Sequence, residues 1–150
     1  MAETEPKQAW WLDLTITPSE TTLDNLPVSD FNKNWKHANY LDTTLLTKYI
    51  SSTEANELTH SKLKLTLSKD LNNNNLVETI KVGIFKKKNN KKGIFLAIFE
   101  DSRLIKVFSD STNKGFSASI VNNKRIHWYK CIKCGNYETI YWNGKTYVLE

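Results

Sequence analysis

Residues 80–108, IKVGIFKKKNNKKGIFLAIFEDSRLIKVF, decide the fold class of this chain. Ile80, Val82 and Ile84 occupy every second position, which is the spacing of one face of a β-strand. Residues 94–99 are apolar at every position, which predicts a central strand covered on both faces. The lysine-rich stretch 86–92 between them predicts a hairpin tip. Asp101-Ser102 predicts a second turn, which leads into a return strand ending near Phe108.

The same two-residue period continues on both sides of this stretch. Asn143-Gly144 is the strongest hairpin signal, because a type I′ turn needs positive φ at both central residues. Strands joined by such short turns must be antiparallel neighbours, so we predict an antiparallel meander of about seven or eight strands. The fold class is therefore mainly β (α+β), and a curled sheet, a small barrel and a sandwich all remain open. The other predicted strands contain Leu63, Leu65 and Leu67; Phe116, Ala118 and Ile120; and residues 125–131, 137–142 and 147–149.

The N-terminal third has a different pattern. Residues 10–17 alternate and predict a first strand, with Trp10 in the core and Trp11 partly exposed, that Pro18 closes. Apolar residues between positions 35 and 50 recur at spacings of three and four, which predicts a helix near residues 35–50. Ser51 and Glu54 have the spacing of a capping box, which allows a further short helix after it.

Length, composition and charge limit the classes of protein that fit. The chain has 150 residues, of which 39% are hydrophobic, so we expect a single globular domain over residues 1–150. No apolar stretch approaches the roughly 20 residues that cross a bilayer. The net charge is +5. Residues 31–150 carry twenty Lys and Arg against ten acidic residues. Such a basic region could bind a nucleic acid, an anionic polymer or an acidic protein, although solvated lysine is the more ordinary explanation.

The first residues allow two interpretations of cellular location. Residues 1–9 are polar, and we expect them to be disordered. They have neither the basic start nor the apolar run of a signal peptide. The protein is either cytoplasmic, or it is periplasmic or secreted with its signal peptide already removed. We favour the exported location.

Cys131 and Cys134 are the only cysteines, and their Cys-x-x-Cys spacing fits three chemistries. A zinc site needs four ligands, and His127 lies about 13 Å from Cys131 along an extended strand, which is too far for one ion. A redox pair needs a helix N-terminus, whereas a strand pattern resumes at Tyr137. We therefore favour a structural Cys131–Cys134 disulfide, with free thiols as the cytoplasmic alternative.

Two groups of side chains are candidates for binding a partner. Tryptophan and tyrosine are adjacent on either side of the cysteine loop, and exposed rings of this kind often anchor protein interfaces. The lysine-rich tip could meet an acidic partner or a nucleic acid. In each case the ordinary alternative, core packing or solvated charge, also fits. The candidate partner-binding residues are Trp128, Tyr129, Tyr141, Trp142, Lys87, Lys88 and Lys91.

The chain contains no recognisable catalytic motif. Phosphate-binding glycine loops, His-Glu-x-x-His and Gly-x-Ser-x-Gly are absent from the sequence. Glu100-Asp101 could act as paired acids, but acidic residues at such a position are typical of turns. We assign no catalytic residue, metal site or cofactor. The sequence favours a non-enzymatic, exported protein-binding domain, such as a bacterial immunity or inhibitor protein. The alternative is a cytosolic nucleic-acid-binding domain that uses the basic face.

The cysteine assignment gives a first test. In unreduced protein we expect an intact mass lower by two hydrogen atoms, no alkylation of Cys131 or Cys134, and no bound zinc. Alkylation after reduction should then modify both cysteines. Two thiols that react without reduction would favour the cytoplasmic alternative, and stoichiometric zinc would contradict the ligand argument.

Overall fold

A computed structural model of the protein describes residues 10–112, 114–132 and 136–150. This part of the chain is mainly β, as the sequence predicts, with eleven strands in antiparallel sheets and four short helices. In chain order the elements are α1 (Trp10–Asp13), β1 (Thr22–Leu23), β2 (Leu26–Pro27), α2 (Val28–Phe31), β3 (Trp35–Tyr40), α3 (Thr43–Leu46), α4 (Ser52–His60), β4 (Thr66–Lys69), β5 (Glu78–Lys87), β6 (Lys92–Glu100), β7 (Arg103–Ser111), β8 (Ala118–Asn122), β9 (Arg125–Tyr129), β10 (Tyr137–Trp142) and β11 (Tyr147–Leu149). None of the helices in the described residues is long and apolar enough to cross a membrane.

Five strands form the larger sheet, in the order β3-β5-β6-β7, with β4 also on β5. One edge of β5 is shared, because β4 pairs with its first half and β3 with its second half. The other edge of β5 pairs with β6 over its whole length, from Glu78 opposite Glu100 to Lys86 opposite Lys92. β6 is therefore the central strand that its apolar sequence predicts.

The smaller sheet has the order β11-β10-β9-β8, and within the described residues one isolated bridge joins it to the larger sheet. Lys64 lies just before β4, and its backbone exchanges two hydrogen bonds with Ser119 of β8, at 2.7 and 2.8 Å. The two sheets thus follow one another as a curled arrangement, and they do not close into a barrel.

The main core lies between the two sheets. Ile80, Val82 and Ile84 of β5 point into it, and so do Ile94, Leu96 and Ile98 of β6. Trp128 and Ile140 face them from the smaller sheet. Burial of this alternating set of side chains is what fixes the register of the strands, since a slip by one residue would turn each of them to the other face.

A second core covers the opposite face of the larger sheet. Phe95 and Phe85 of the sheet pack with Trp35, whose ring stacks on Phe85 at a centroid distance of 4.5 Å. The β1-β2 hairpin and α2 lie over these rings. Phe31 of α2 packs edge to face on Phe95. Gly83 leaves the room that this requires, because a Cβ there would lie 2.4 Å from the Phe95 ring.

The helix predicted near residues 35–50 is wrong over its first half. Residues 35–40 form β3, and a helix occurs only at α3. A β-bulge between Trp35 and His37 explains the misleading spacing. An extra residue in a strand places residues three apart on one face, so that Trp35 and Ala38 are both buried as they would be on a helix. The capping box of Ser51 and Glu54 is present and begins α4.

The strand predicted for residues 10–17 is also wrong. Residues 10–13 form the helical turn α1, and residues 14–17 are not in a strand. A helical turn does not alternate, so Trp11 is buried with Trp10, whereas Leu12 is 46% exposed. The two indoles meet edge to face, and Trp10 donates to Glu57 of α4 at 3.0 Å.

Three hairpins use two-residue turns with positive φ at both positions. The turns are Asp24-Asn25, Asp101-Ser102 and Asn123-Lys124, with φ between 51° and 67°. The predicted turn at Asn143-Gly144 does join β10 to β11, but it is a four-residue loop and not a type I′ turn. Asn143 has no positive φ, and its side-chain oxygen accepts from the amides of Lys145 and Thr146 instead.

Candidate functional site

The outward face of the smaller sheet carries a set of aromatic side chains. Ile126, Trp128 and Ile140 are at most 1% exposed and point into the main core. Successive residues of a strand point to opposite faces, so the positions between them point outward. We call this outward set the tyrosine face, and it consists of Arg125, His127, Tyr129, Tyr137 and Tyr141.

The rings of the tyrosine face contact one another. His127 stacks on Tyr137 at a centroid distance of 4.2 Å, and Tyr129 lies 4.9 Å from the same ring. Arg125 lies over Tyr141 at 4.8 Å and also pairs with Glu150. Burial raises the pKa of the Tyr129 hydroxyl, and Tyr137 adds to this, so the phenol stays protonated. The surface therefore consists of tyrosine rings, one imidazole and one guanidinium, all carried by two strands of the same sheet.

Lys130 borders the tyrosine face and links the two sheets. Its ammonium contacts Asp110 of β7 and Glu138 of β10, at 2.5 and 2.7 Å. Burial alone would lower the pKa of Lys130, but the hydrogen bonds to Asp110 and Glu138 outweigh it and raise the pKa. Lys130 therefore stays charged and forms an ion pair with each of the two carboxylates. Beside it is a cavity of about 320 Å³ that Tyr137 and Leu12 also line.

The predicted aromatic residues divide between the core and the surface. Trp128 is buried, so its ring is not part of the outer surface. Trp142 is half-buried and packs edge to face on Tyr147. The neighbouring Tyr141 is half-buried on the outward face, and Tyr129 is half-buried and also packs against the main core. Tyr137, His127 and Arg125 are not among the residues predicted from the sequence, although the two-residue period of Ile126 and Trp128 places Arg125 and His127 on the outward side.

The cysteine loop is only partly described. Cys131 is half-buried beside the main core, and Cys134 lies outside the described residues. The Cys131–Cys134 disulfide therefore stays a prediction. Within the ranges that the structure describes, no group of three or more His, Cys, Asp or Glu residues could hold a metal ion.

The predicted lysine residues lie away from the tyrosine face, at the tip of the β5-β6 hairpin. We call Lys86, Lys87, Lys88, Lys91 and Lys92 the lysine tip. Lys88 donates its backbone N–H to Asn34 at 2.9 Å, which anchors the tip to the residue before β3. Lys88 and Lys91 are exposed, and no ammonium of the tip forms an ion pair with a described residue. An open groove of about 650 Å³ runs beside it, lined by Thr15, Asn90, Lys91, Lys92, Ser111 and Thr112.

A third polar cluster is buried at the far end of β5. Glu78 is fully buried and lies directly opposite Glu100. One Glu78 oxygen accepts from the Leu71 amide at 2.6 Å and from the Tyr147 hydroxyl at 3.1 Å. Burial raises the pKa of Glu78, and the facing Glu100 raises it further. Hydrogen bonding by Asn74 holds the pKa of Glu100 below its ordinary value, and Glu78 acts in the same direction.

This cluster has a structural role that its contacts explain. Glu78 ties the Asn-rich loop between β4 and β5 (residues 70–77), through Leu71, to β11, through Tyr147. Asn72 and Asn74 of the same loop donate to Glu100. The sequence offers Glu100 with Asp101 as paired acids, but the carboxyl group that faces Glu100 is Glu78, on the neighbouring strand β5. The sequence does not reveal the register that sets Glu78 opposite Glu100, so it does not predict this pair of carboxyl groups.

Comparisons with known proteins add no family. No protein-family model matches the chain, and neither the curated proteins nor the solved structures contain a significantly similar one.

The buried acid pair predicts a pH dependence of stability. The pKa of Glu78 is raised, so the folded protein keeps a proton above pH 4.5 that the unfolded chain has lost. This stabilisation is complete below pH 4.5 and is lost as pH rises through the folded pKa. Glu78→Gln keeps the acceptor oxygen and does not titrate. We expect it to be more stable than the parent in alkaline solution, by about 0.5–1 kcal/mol, the size of a cross-strand like-charge pair.

Urea denaturation midpoints over a pH series measure this effect. The Glu78→Gln midpoint should fall less than the parent midpoint as pH rises. Glu20→Gln is the matched control, because Glu20 is exposed, and its profile should follow the parent. Parallel profiles for parent and Glu78→Gln would show that Glu78 is ionised in the folded protein and that our assignment is wrong.

Proposed function

We propose that the protein is a non-catalytic binding protein that docks on another protein through the tyrosine face. The observation that carries the proposal is the outward projection of Tyr129, Tyr137 and Tyr141, with His127 and Arg125, from one sheet. Tyrosine and arginine are enriched among the residues that dominate binding energy at interfaces. A tyrosine has few rotatable bonds, so holding it in an interface costs little entropy.

The packing beneath the tyrosine face supports the same proposal. Trp128 and Ile126 fill the core directly under the outward residues, so the sheet that carries them is rigid. Tyr137 is 45% exposed although it stacks on His127, which leaves one side of its ring for a partner. A pre-formed surface binds with little reorganisation, and affinity benefits from that.

The specific form of the proposal is an exported immunity or inhibitor protein that blocks a toxin or enzyme. It draws support from the predicted Cys131–Cys134 disulfide, which would persist only in an oxidising compartment such as the periplasm. In this form the tyrosine face, or the basic surface discussed below, covers the active site of the partner.

Site-specific cross-linking in the cells that produce the protein tests the docking surface. A photoreactive phenylalanine analogue replaces Tyr137 or Tyr141, and the same analogue at Tyr49 is the control. Tyr49 is 50% exposed and lies outside the smaller sheet, so it matches Tyr137 in accessibility. We expect a discrete cross-linked protein from positions 137 and 141 and none from position 49.

If positions 137 and 141 give no adduct, or the same adducts as position 49, the tyrosine face is not the docking surface. If positions 137 and 141 do give a specific adduct, mass spectrometry of the purified adduct identifies the partner. Tyr137→Ala should weaken binding of that partner without changing the urea midpoint, because the exposed ring contributes little to the core.

A second candidate function is binding of a nucleic acid at the lysine tip. The observation that favours it is the group of lysines without ion pairs in the described residues, beside a groove lined by amide, hydroxyl and ammonium groups. Phosphodiesters bind such surfaces with a strong dependence on salt, because bound counterions are released.

Charge reversal tests this second candidate. We expect Lys87→Glu with Lys91→Glu to abolish binding of a fluorescent single-stranded oligonucleotide in an anisotropy titration, and the parent affinity to fall steeply with salt. Lys48→Glu with Lys69→Glu changes the net charge equally at exposed sites outside the tip and should retain binding. No binding by the parent at low salt, or equal losses in both variants, would reject a nucleic-acid site at the tip.

A further inference from the structure

The outer edge of β7 is open along the strand. β7 runs over nine residues and pairs with β6 on one side. Among the described residues, no hydrogen bond reaches its other edge. The remaining long strands of the larger sheet differ, because β5 and β6 are paired on both sides and β3 is bridged to Glu20.

The direction of the free backbone groups follows from one hydrogen bond. The Thr112 amide donates to the Lys92 carbonyl at 3.0 Å, just beyond the end of β7. Hydrogen-bonded and non-hydrogen-bonded pairs alternate along an antiparallel ladder. Residues 106, 108 and 110 therefore bond to β6, and Val107, Ser109 and Ser111 direct N–H and C=O away from the sheet. These three residues form a template for another strand.

The side chains of β7 set the chemistry of a strand that would fit. Lys106 and Phe108 lie on the same face, with the ammonium 5.6 Å from the ring centroid. Lys106 forms no ion pair among the described residues, whereas Asp110 is paired with Lys130. A neighbouring strand would therefore meet an uncompensated cation beside an aromatic ring, and an acidic residue flanked by apolar ones complements this.

We propose that the β7 edge binds an extended segment of another protein by strand addition, with an acidic side chain of that segment opposite Lys106. Main-chain hydrogen bonds give affinity in this mode of recognition, and the side chains give specificity. The site is distinct from the tyrosine face, although Lys130 connects the two surfaces by its contacts with Asp110 and Glu138. A second copy of this chain fits less well where strands pair in the register that sets Lys106 opposite Lys106.

The probe is the peptide acetyl-Thr-Val-Thr-Glu-Thr-Val-Thr-amide, titrated into the isotope-labelled full chain and followed by nuclear magnetic resonance. We expect amide shifts confined to residues 105–111. A peptide with Lys in place of Glu should bind about fivefold more weakly, which is the ratio for 1 kcal/mol. Lys106→Glu should reverse this preference. Because the tyrosine face plays no part, failure here leaves the cross-linking result intact.

Two variants test the backbone contact itself. Ser109→Pro removes an outward N–H that β6 does not use, and proline is tolerated at such positions of edge strands, so binding should be lost while the fold is kept. Ser109→Ala is the matched control and should bind as the parent does. If Ser109→Pro does not fold, a peptide N-methylated on its bonding edge gives the same test. The proposal is overturned by unchanged spectra, by binding that survives these blocks, or by a concentration-dependent dimer formed through β7.

Discussion

Both hydrophobic cores pack on the same nine residues, because β6 lies in the middle of the larger sheet with buried side chains on each face. Ile94, Leu96 and Ile98 face the smaller sheet, whereas Phe95, Ala97 and Phe99 face the β1-β2 hairpin and α2. The remaining elements are arranged to cover one face or the other. The tyrosine face depends on this arrangement, since Trp128 can lie under it only while Ile94, Leu96 and Ile98 of β6 fill the main core.

The proposed binding surfaces are formed by those parts of the strands that the two cores do not use. Alternation sends one side chain of each pair inward, and its neighbour is left to solvent. Trp128 and Trp142 thus stabilise the fold, and the adjacent Tyr129 and Tyr141 are the half-buried residues that we propose contact a partner. The lysine tip also lies outside both cores, because the β5-β6 hairpin extends beyond them. Its lysine ammonium groups therefore remain hydrated, and the charges there carry little desolvation penalty.

The C-terminal two thirds of the fold follow from the two-residue period, and the N-terminal third does not. Strands β5 to β11 are predicted correctly because their patterns are long and their turns contain Asn, Asp and Ser. The bulge in β3 changes the period locally to that of a helix, and no property of Trp35 or His37 reveals it. The outward tyrosines could be derived in the same way as the strands. The Glu78–Glu100 pair could not, because it depends on register across two strands.

The bridge between Lys64 and Ser119 has a consequence for folding. Most pairings in both sheets join strands that are adjacent in sequence, so they close short loops and form quickly. The bridge instead joins residues separated by 55 positions, and its loop-closure entropy is correspondingly larger. We expect the two sheets to form first as local hairpins and to meet late. Formation of the Lys64–Ser119 bridge then limits the speed of folding. A chain cut in the loop between β4 and β5 would then keep the β5-β6 and β8-β9 hairpins and lose the joint between the two sheets.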